Sequence, residues 1–316
     1  MVRRPSWRPV AALLAVVAAA LVTTAVLAFG GSSSAATPGG GDVISAVGAE
    51  NQYADVIAQV GGRYVRVTAL LSNPATDPHT FEASIAVARQ VGDARLVVQN
   101  GLGYDTFMNT IEGATPGGAR TVIDVQRLLK LPDSTPNPHL WYDPATMPKV
   151  ADAIARALSA IQPAHAAYFK ANAMAFGEGL QKWTSALAGF KAAHPDTPVA
   201  STEPVADYLL RAAGADNRTP WSFQADVMNG VDPSPQDVAT ERALLEERKV
   251  AALVYNEQVT NPLTESLIAL ARQQHIPVVA VYETMPQPGY DYQSWMLAET
   301  SALRQVVEHH VSAEHL

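Results

Sequence analysis

The alternation of apolar and polar positions divides most of the chain into short buried strands and amphipathic helices. In the first half, apolar runs at residues 42–47, 64–71 and 95–99 predict strands, because each has roughly the four to eight residues of a buried strand. Between these runs, residues 51–59 and 84–92 have apolar positions at helical spacing and are predicted to form helices. Strands that alternate with helices are typical of parallel βα units. The pattern therefore predicts a first lobe built around a parallel sheet.

A long helical pattern occupies the middle of the chain. Residues 145–161 and 163–190 are rich in Ala and Leu at helical spacing, and only Gln162-Pro163 interrupts them. Proline is favoured as the first residue of a helix, so Pro163 predicts either one kinked helix or two abutting helices. The combined length far exceeds that of an ordinary helix. We expect this element to connect the two halves of the molecule.

The second half repeats the alternation of strands and helices. Strands are predicted at residues 198–201, 250–255 and 277–282, and helices at residues 204–213, 262–273 and 292–309. We therefore predict an α/β fold with two βα lobes, each with a parallel sheet, joined by the long, kinked helix. The predicted boundaries are 42–144 for the N-terminal lobe, 145–194 for the linking helix and 195–316 for the C-terminal lobe. Ligands of such sheets bind beyond the carboxyl ends of the strands, so we expect a site in the cleft between the lobes.

The N-terminal region differs in kind from the rest. Three arginines precede an apolar run at residues 10–29, and small residues follow it. This order is typical of an export signal, but the run also reaches membrane-spanning length. Residues 1–36 are therefore predicted to be either an export signal or an N-terminal membrane anchor, and residues 37–41 a flexible tether. Either form places the protein outside the cytoplasm, anchored at the cell surface or secreted.

Composition excludes several classes of function. With 48% apolar and 16% charged residues the chain is globular, and a net charge of −8 gives no reason to expect a nucleic-acid partner. The chain contains no cysteine, which excludes disulfides, thiolate zinc sites, iron–sulfur clusters and a lipid-modified cysteine. Any metal ion must be held by imidazole and oxygen. Such ligands suit Zn²⁺, Mn²⁺ or Fe²⁺.

Two histidines lie in proline-flanked corners about sixty residues apart. His79 follows Asp77-Pro78 and His139 follows Asn137-Pro138, in a chain with only eight histidines. Proline disfavours helical geometry in the residue before it and fixes its own φ, so both corners are stiff and irregular. A single histidine of this kind is more often a turn residue than a metal ligand. Two of them, both at junctions next to predicted helices, favour metal binding.

Two glutamates complete the candidate metal site. Glu203 and Glu283 each lie just past the carboxyl end of a predicted strand. Glu203 has an equally good interpretation as an acidic residue at a helix N-terminus, and Glu257 competes with Glu283 as the fourth ligand. Two imidazoles and two carboxylates supply four to six donor atoms, depending on whether each carboxylate binds through one oxygen or both. This set fits a divalent first-row metal ion.

The other chemistry-bearing residues are interpreted as structural. The remaining histidines lie in the long helix, at its end, in a polar segment and in the tail: His165, His194, His275, His309, His310 and His315. The aromatic residues near the corners are interpreted as packing: Tyr104, Phe107, Trp141 and Tyr142. The sequence contains no nucleophile elbow, His-Glu-x-x-His motif, phosphate loop or dinucleotide fingerprint. We therefore do not expect an enzyme.

Several segments together resemble one family. Residues 77–82, 100–104 and 137–144 are similar to the signature segments of the zinc- and manganese-type metal-binding receptors of ABC importers, the cluster A-I or TroA-like family. The similarity continues through the long helix, residues 203–210, residues 256–258 and residues 292–303. It thus covers nearly all of the chain after the tether.

The resemblance implies a set of four metal ligands. His79 and His139 match the family's first two ligands. The third is commonly histidine in zinc-type members and glutamate in manganese-type members, and here it is Glu203. The fourth is usually aspartate; Glu283 stands at this place, and the resemblance favours it over Glu257. Zn²⁺ and Mn²⁺ both remain expected ligands, with Fe²⁺ as a further option, because carboxylates accept all three.

The expected function is metal capture outside the cytoplasm. The resemblance implies a monomeric receptor that binds Zn²⁺ or Mn²⁺ and delivers it to the membrane permease of an ABC importer. The chain departs from many family members in having no histidine between residues 112 and 136 and no lipid-accepting cysteine, so its N-terminal segment is the candidate for membrane association. Two alternatives are a surface adhesin or interaction protein with a structural metal, and a metallohydrolase with an open coordination position for water.

Overall fold

The structure, a computed structural model, describes residues 43–72, 84–115, 119–286 and 288–316. The predicted export signal or anchor (residues 1–36), the tether (37–41) and the corner that contains His79 lie outside the described residues. Among the helices of the described ranges, none has the length and apolarity that a membrane crossing requires.

The first lobe is built on a four-stranded parallel sheet. Its strands are β1 (Ile44–Glu50), β2 (Val65–Leu71), β3 (Leu96–Gln99) and β4 (Thr121–Asp124). Its helices are α1 (Asn51–Gly61), α2 (Ile85–Asp93), α3 (Thr106–Ala114) and α4 (Val125–Leu128). The strand order is β2-β1-β3-β4, and Val47 of β1 lies opposite Thr68 of β2 and Val97 of β3. The order reverses between β1 and β3, which is where sheets of this kind bind ligands.

Three helices connect the lobes. They are α5 (Thr146–Ile161), α6 (Ala166–Gly179) and α7 (Gln181–Ala193). A single turn of 3₁₀ helix, Pro163–His165, separates α5 from α6, and the two helices pack against each other as a hairpin. The predicted break at Pro163 is therefore present, as a reversal of the chain rather than a kink.

The kink lies further along, between α6 and α7. The N–H of Leu180 donates to the carbonyl of Gly177 at 3.2 Å, a bond of 3₁₀ type that interrupts the α-helical ladder. Gly177 and Gly179 flank this point, and glycine is a common cause of helix kinks. α6 packs on α1 of the first lobe and on α5, and the kinked pair α6–α7 is the long element that bridges the molecule.

The second lobe repeats the architecture of the first. Its strands are β5 (Pro198–Ser201), β6 (Asp216–Asn217), β7 (Ala252–Asn256) and β8 (Val278–Val281). Its helices are α8 (Asp207–Ala212), α9 (Trp221–Met228), α10 (Pro235–Glu246), α11 (Pro262–Gln273) and α12 (Tyr292–His309). The strands are parallel in the order β6-β5-β7-β8, the same pattern as in the first sheet. The predicted α/β fold with two lobes and a long kinked helix is confirmed; the exact lobe boundaries stay a prediction.

The carboxyl ends of the two sheets face each other. Asn51, directly after β1, donates its side-chain amide to the carbonyl of Met285 at 2.7 Å and accepts from the N–H of Met285 at 2.9 Å. Met285 lies four residues after β8. The ends of strands from both lobes therefore line the same interlobe cleft, as the sequence predicts.

The kinked pair α6–α7 is fixed to the second lobe through Trp183. This side chain is fully buried, and its Nε1 donates to Thr300 Oγ1 on α12 at 3.0 Å. Its ring also meets the edge of Tyr292, with the centroids 6.1 Å apart. Burial of a tryptophan contributes several kcal/mol to folding, so this contact is a main attachment of the linking helix.

The free edge of β8 is covered by the C-terminal residues. Ala313 pairs with Val279 in parallel, with the N–H of Ala313 donating to Val278 O at 2.8 Å and the N–H of Ala280 donating to Ala313 O at 2.9 Å. Arg272 of α11 forms an ion pair with Glu314. The C-terminal tail therefore pairs with β8 over a short stretch at the edge of the sheet.

Candidate metal centre

His139 is held in one orientation by its own corner. Asn137 Oδ1 accepts the backbone N–H of His139 at 2.9 Å and lies 2.8 Å from His139 Nδ1. The amide of Asn137 is itself fixed, because its Nδ2 donates to Pro204 O at 2.8 Å. Since Asn137 Oδ1 can only accept, Nδ1 of the neutral imidazole carries the hydrogen and Nε2 presents its lone pair. This is the arrangement that orients a histidine for metal binding.

The lone pair of His139 faces Glu283. Both side chains are fully buried, and His139 Nε2 lies 3.8 Å from Glu283 Oε2. This separation is too long for a hydrogen bond, and Nε2 has no hydrogen-bond partner among the residues that the structure describes. One ion that bonds both atoms at about 2.0–2.2 Å could span up to ~4.2 Å between them. The pair therefore has the spacing of two ligands of a common metal ion.

Glu283 is positioned by groups from both lobes. Its Oε2 accepts from Tyr104 Oη at 2.8 Å, and its Oε1 accepts from Asn256 Nδ2 at 2.6 Å. Its backbone N–H donates to Gln258 Oε1 at 2.5 Å, and its carbonyl accepts from Gln52 Nε2 at 3.2 Å. Rotation of the side chain away from His139 would break the hydrogen bonds from Tyr104 and Asn256.

Glu203 follows β5, and its side chain lies near Glu283, joined to it through Asn256. Glu203 is 3% exposed, and its Oε2 accepts from Asn256 Nδ2 at 3.3 Å. Beneath it, Gln224 Nε2 donates to Ser201 Oγ at 2.5 Å and to the carbonyl of Glu203 at 3.3 Å. The two acidic side chains are thus linked through the same amide nitrogen of Asn256. Burial of two carboxylates is costly unless a cation lies near them.

The competing acid Glu257 faces elsewhere. Its side chain is one-third exposed, and its Oε1 lies 3.6 Å from Nδ1 of His315 in the tail. The structure therefore places Glu283, rather than Glu257, beside His139. Within the described ranges, no three histidine, aspartate or glutamate side chains already converge as ligands of one ion. His79, the remaining predicted ligand, lies outside them.

Several residues that support the site were not predicted from the sequence. Asn100, after β3, accepts from Tyr53 Oη at 2.6 Å and donates to Pro138 O at 2.8 Å, which fixes the His139 corner. Asp105 accepts the N–H groups of Asn100 and Gly101, at 2.6 Å and 3.0 Å. Tyr104, interpreted as packing, also donates to Glu283. Of these residues only Asn100 and Tyr104 lie in a segment that the sequence singled out, residues 100–104.

The sequence matches one protein family over most of its length. The ZnuA family, described as the periplasmic component A of a zinc-uptake complex, matches residues 47–306. The chain belongs to this family. The resemblance to zinc- and manganese-type receptors is thereby confirmed.

Two curated relatives of this ZnuA-family chain are named for the metals they bind. The manganese-binding lipoprotein MntA of Bacillus subtilis is 28% identical over 150 residues, which are 45% of this chain and 49% of MntA. The zinc-binding protein TroA of Treponema pallidum is 24% identical over 236 residues, 71% of this chain and 73% of TroA. The match to MntA thus spans about half of that protein.

Solved structures share the fold of this ZnuA-family chain. The periplasmic zinc-binding protein TroA from Treponema pallidum superposes with a TM-score of 0.70 at 19% identity, covering 84% of this chain and 98% of TroA. A manganese-bound mutant of a periplasmic metal-binding protein from Candidatus Liberibacter asiaticus gives a TM-score of 0.69 at 16% identity, covering 83% of this chain and 98% of that protein. At these identities the likeness establishes the fold.

Behind the site of this ZnuA-family chain, Glu299 on α12 is a buried carboxyl group. Its Oε1 accepts from Tyr142 Oη at 3.0 Å and from Trp295 Nε1 at 2.9 Å. Burial raises the pKa of Glu299 to about 8, although both hydrogen bonds lower it. The folded protein therefore keeps a proton on Glu299 at neutral pH. Tyr142 Oη also accepts the backbone N–H of Tyr282 at 3.2 Å, which connects this group to the residue that precedes Glu283.

This proton makes stability depend on pH. Between the ordinary pKa of 4.5 and the folded value of about 8, the native state holds a proton that the unfolded state has lost. The free energy of unfolding should therefore fall as pH rises through this window, by up to roughly 1.4 kcal/mol per pH unit for each such group. Glu241, whose pKa burial also raises to about 8, adds to the same slope. Asp105, whose pKa burial raises to about 7, and Glu50, whose pKa burial raises well above its usual range, contribute as well. Glu299→Gln should therefore remove only its own share of the slope, up to roughly 1.4 kcal/mol per pH unit, measured by urea unfolding at several pH values.

The matched control is Glu265→Gln, which changes an exposed glutamate in the first turn of α11. It should leave the slope unchanged. Equal slopes for Glu299→Gln and the unsubstituted protein would contradict the assignment of a buried proton to Glu299.

Proposed function

We propose that this chain is an extracytoplasmic substrate-binding protein of an ABC importer, which captures Zn²⁺ or Mn²⁺ in the interlobe cleft and delivers it to a membrane permease. The observation that carries the proposal is the buried pair of His139 Nε2 and Glu283 Oε2, 3.8 Å apart and fixed from both lobes. The relatives named for zinc and manganese support the choice of metals.

The proposed ligands are His79, His139, Glu203 and Glu283. His139 and Glu283 already have the spacing of a shared ion. Glu203 is buried beside them through Asn256, so a small shift of its side chain would bring it to the ion. His79 enters the set through the family motif that it matches, and in the sequence it follows β2. Two imidazoles and two carboxylates compensate the charge of a divalent ion.

The proposal describes a binding protein and not an enzyme. Enclosure by four protein ligands leaves little room for the water that a hydrolytic metal site requires. The N-terminal segment is proposed to direct export or to anchor the protein, and the monomer is the proposed form. The kinked pair α6–α7, docked on both lobes, restricts hinge motion, so metal exchange would proceed through small lobe shifts.

The test is metal uptake by the cells that produce the protein. Deletion of its gene should reduce uptake of radioactive Zn²⁺ or Mn²⁺ under metal limitation. Restoring the unsubstituted gene should recover uptake, and restoring the His139→Ala variant at equal protein level should not. Unchanged uptake of both metals in the deletion strain would refute the importer function.

A further inference from the structure

Asn256 occupies the position between the two acidic ligands. It is the last residue of β7, is 1% exposed, and lies in the sheet between β5, which leads to Glu203, and β8, which leads to Glu283. Its Nδ2 donates to Glu203 Oε2 at 3.3 Å and to Glu283 Oε1 at 2.6 Å. The two hydrogens of this amide nitrogen are thus both directed at carboxylates, one oxygen on each.

The amide of Asn256 has only one orientation that satisfies its neighbours. Its Oδ1 accepts the backbone N–H of Gln258 at 3.0 Å, so the nitrogen must face the carboxylates. Its backbone N–H lies 3.2 Å from Thr202 Oγ1, which ties it to the loop that carries Glu203. The amide is therefore held in place by contacts that do not involve the two carboxylates.

The number of carboxylate oxygens available decides which ion the site prefers. If each carboxylate bonds the ion through one oxygen, two imidazoles and two carboxylates give four donors, the usual number for Zn²⁺. If both oxygens bond, the same residues give six donors, the number and oxygen content that suit Mn²⁺. An amide that binds one oxygen of a carboxylate fixes the orientation of that carboxylate: Glu283 Oε1 faces Asn256 and Oε2 faces His139. Such an arrangement favours the first case.

We propose that Asn256 is a positioning residue for metal selectivity: by hydrogen-bonding one oxygen of Glu203 and one of Glu283, it restricts both to single-oxygen coordination and favours four-coordinate Zn²⁺ over Mn²⁺. This inference rests on the proposed function, because it concerns the same site. It assigns the selectivity to a neutral side chain that touches no metal ion.

Co²⁺ provides a probe of coordination number. Four-coordinate, tetrahedral Co²⁺ gives intense visible absorption, whereas six-coordinate Co²⁺ absorbs weakly. The purified chain loaded with Co²⁺ should show the intense bands, and Asn256→Ala should show weaker bands because each carboxylate regains its second oxygen. In competition titrations with Zn²⁺ and Mn²⁺, the ratio of the Kd for Mn²⁺ to the Kd for Zn²⁺ should fall about tenfold or more in Asn256→Ala, the scale of effect of groups that orient metal ligands.

Tyr104→Phe is the matched control. It removes a buried hydrogen bond from the same Glu283, but from Oε2, the oxygen that faces His139. It should weaken the binding of both metals by a similar factor and leave the Co²⁺ spectrum of the unsubstituted protein unchanged. Asn256→Leu serves as a second variant if Asn256→Ala does not fold; it keeps a similar volume, adds no charge beside the two carboxylates and removes the donor. It should show the same fall in selectivity.

Two results would overturn the inference. One is weak Co²⁺ absorption by the unsubstituted protein. The other is an Asn256 variant with the unsubstituted spectrum and an unchanged Kd ratio, its affinity for both metals falling in parallel. In both cases the protein still binds metal, so the proposed function survives. Absence of binding of Co²⁺, Zn²⁺ and Mn²⁺ by the unsubstituted protein would refute the proposed function and this inference with it.

Discussion

Replacing His139 with alanine should lower the affinity for Zn²⁺ by more than about 100-fold. Loss of a residue that merely orients a ligand typically costs about 10- to 100-fold in metal affinity, and loss of a ligand costs more. His139 is fully buried, and its Nε2 lone pair is directed at the space beside Glu283 by the bond between Nδ1 and Asn137. Within the described ranges no alternative group of three potential ligands forms, so no second site there could compensate for the loss. Competition with a chelator of known affinity measures the change.

The control for this experiment is His309→Ala. His309 is exposed in the last turn of α12, so its removal tests whether an exposed histidine contributes to the measured binding. Its affinity for Zn²⁺ should equal that of the unsubstituted protein. A His139→Ala protein that binds Zn²⁺ within tenfold of the unsubstituted protein would contradict the assignment of His139 as a ligand.

Replacing Trp183 with alanine should destabilise the protein by about 3–5 kcal/mol, the usual cost of removing a buried aromatic side chain. The substitution leaves a cavity between α7 and α12 and removes the hydrogen-bond donor to Thr300 Oγ1. For a domain of this size, such a loss corresponds to a decrease in Tm of roughly 10 °C. Thermal unfolding followed by circular dichroism measures it, with metal removed by chelator so that binding does not mask the effect.

Two variants separate packing from hydrogen bonding at this position. Trp183→Phe retains most of the volume and loses only the hydrogen bond, so its Tm should fall by a smaller amount, about 2–4 °C. Trp221→Ala removes an indole that is 40% exposed at the start of α9 and should change Tm little. A fall below about 3 °C for Trp183→Ala would show that the linking helix is held mainly by other contacts.

Elements bounded by clear turn or capping signals could be predicted from the sequence, and the edge strands β4 and β6 could not. The strands β5 and β8 and the helices α11 and α12 follow the predicted runs closely, because their apolar residues alternate with clear turn or capping signals. The edge strands β4 and β6 were not predicted: β6 has two residues, and two of the four residues of β4 are exposed. The helix α10 was not predicted either, since a buried glutamate, Glu241, stands among its inward-facing residues.

The periodicity of the sequence predicts that a helix forms, but not the direction in which that helix runs relative to the one before it. Pro163 indicated where α5 and α6 separate, but only the packing of both helices on α1 shows that the chain reverses there. The actual kink at Leu180 depends on a local 3₁₀ bond beside two glycines, and its sequence signal is weak.

The candidate ligands could be predicted because their residue types are chemically distinctive. His139 lies in a rigid corner, and Glu203 and Glu283 follow strands, so each has a signal of its own. Strand position alone does not separate Glu257 from Glu283, since both follow strands of the same sheet; the family resemblance favours Glu283, and the structure places Glu283 beside His139. The role of Asn256 could not be predicted, because it depends on which oxygen atoms its amide reaches.

The pairing of the C-terminal residues with β8 has a consequence for self-association. An uncovered strand of four apolar residues offers free N–H and C=O groups to a strand from another molecule, and such pairing leads to aggregates. Ala313 occupies these groups on β8, and the opposite boundary of the sheet, β6, is too short to recruit a partner. The C-terminal residues therefore protect this edge of the second sheet against pairing with another molecule. Removal of the final residues, or a fusion that pulls them away, would open this surface to polymerisation.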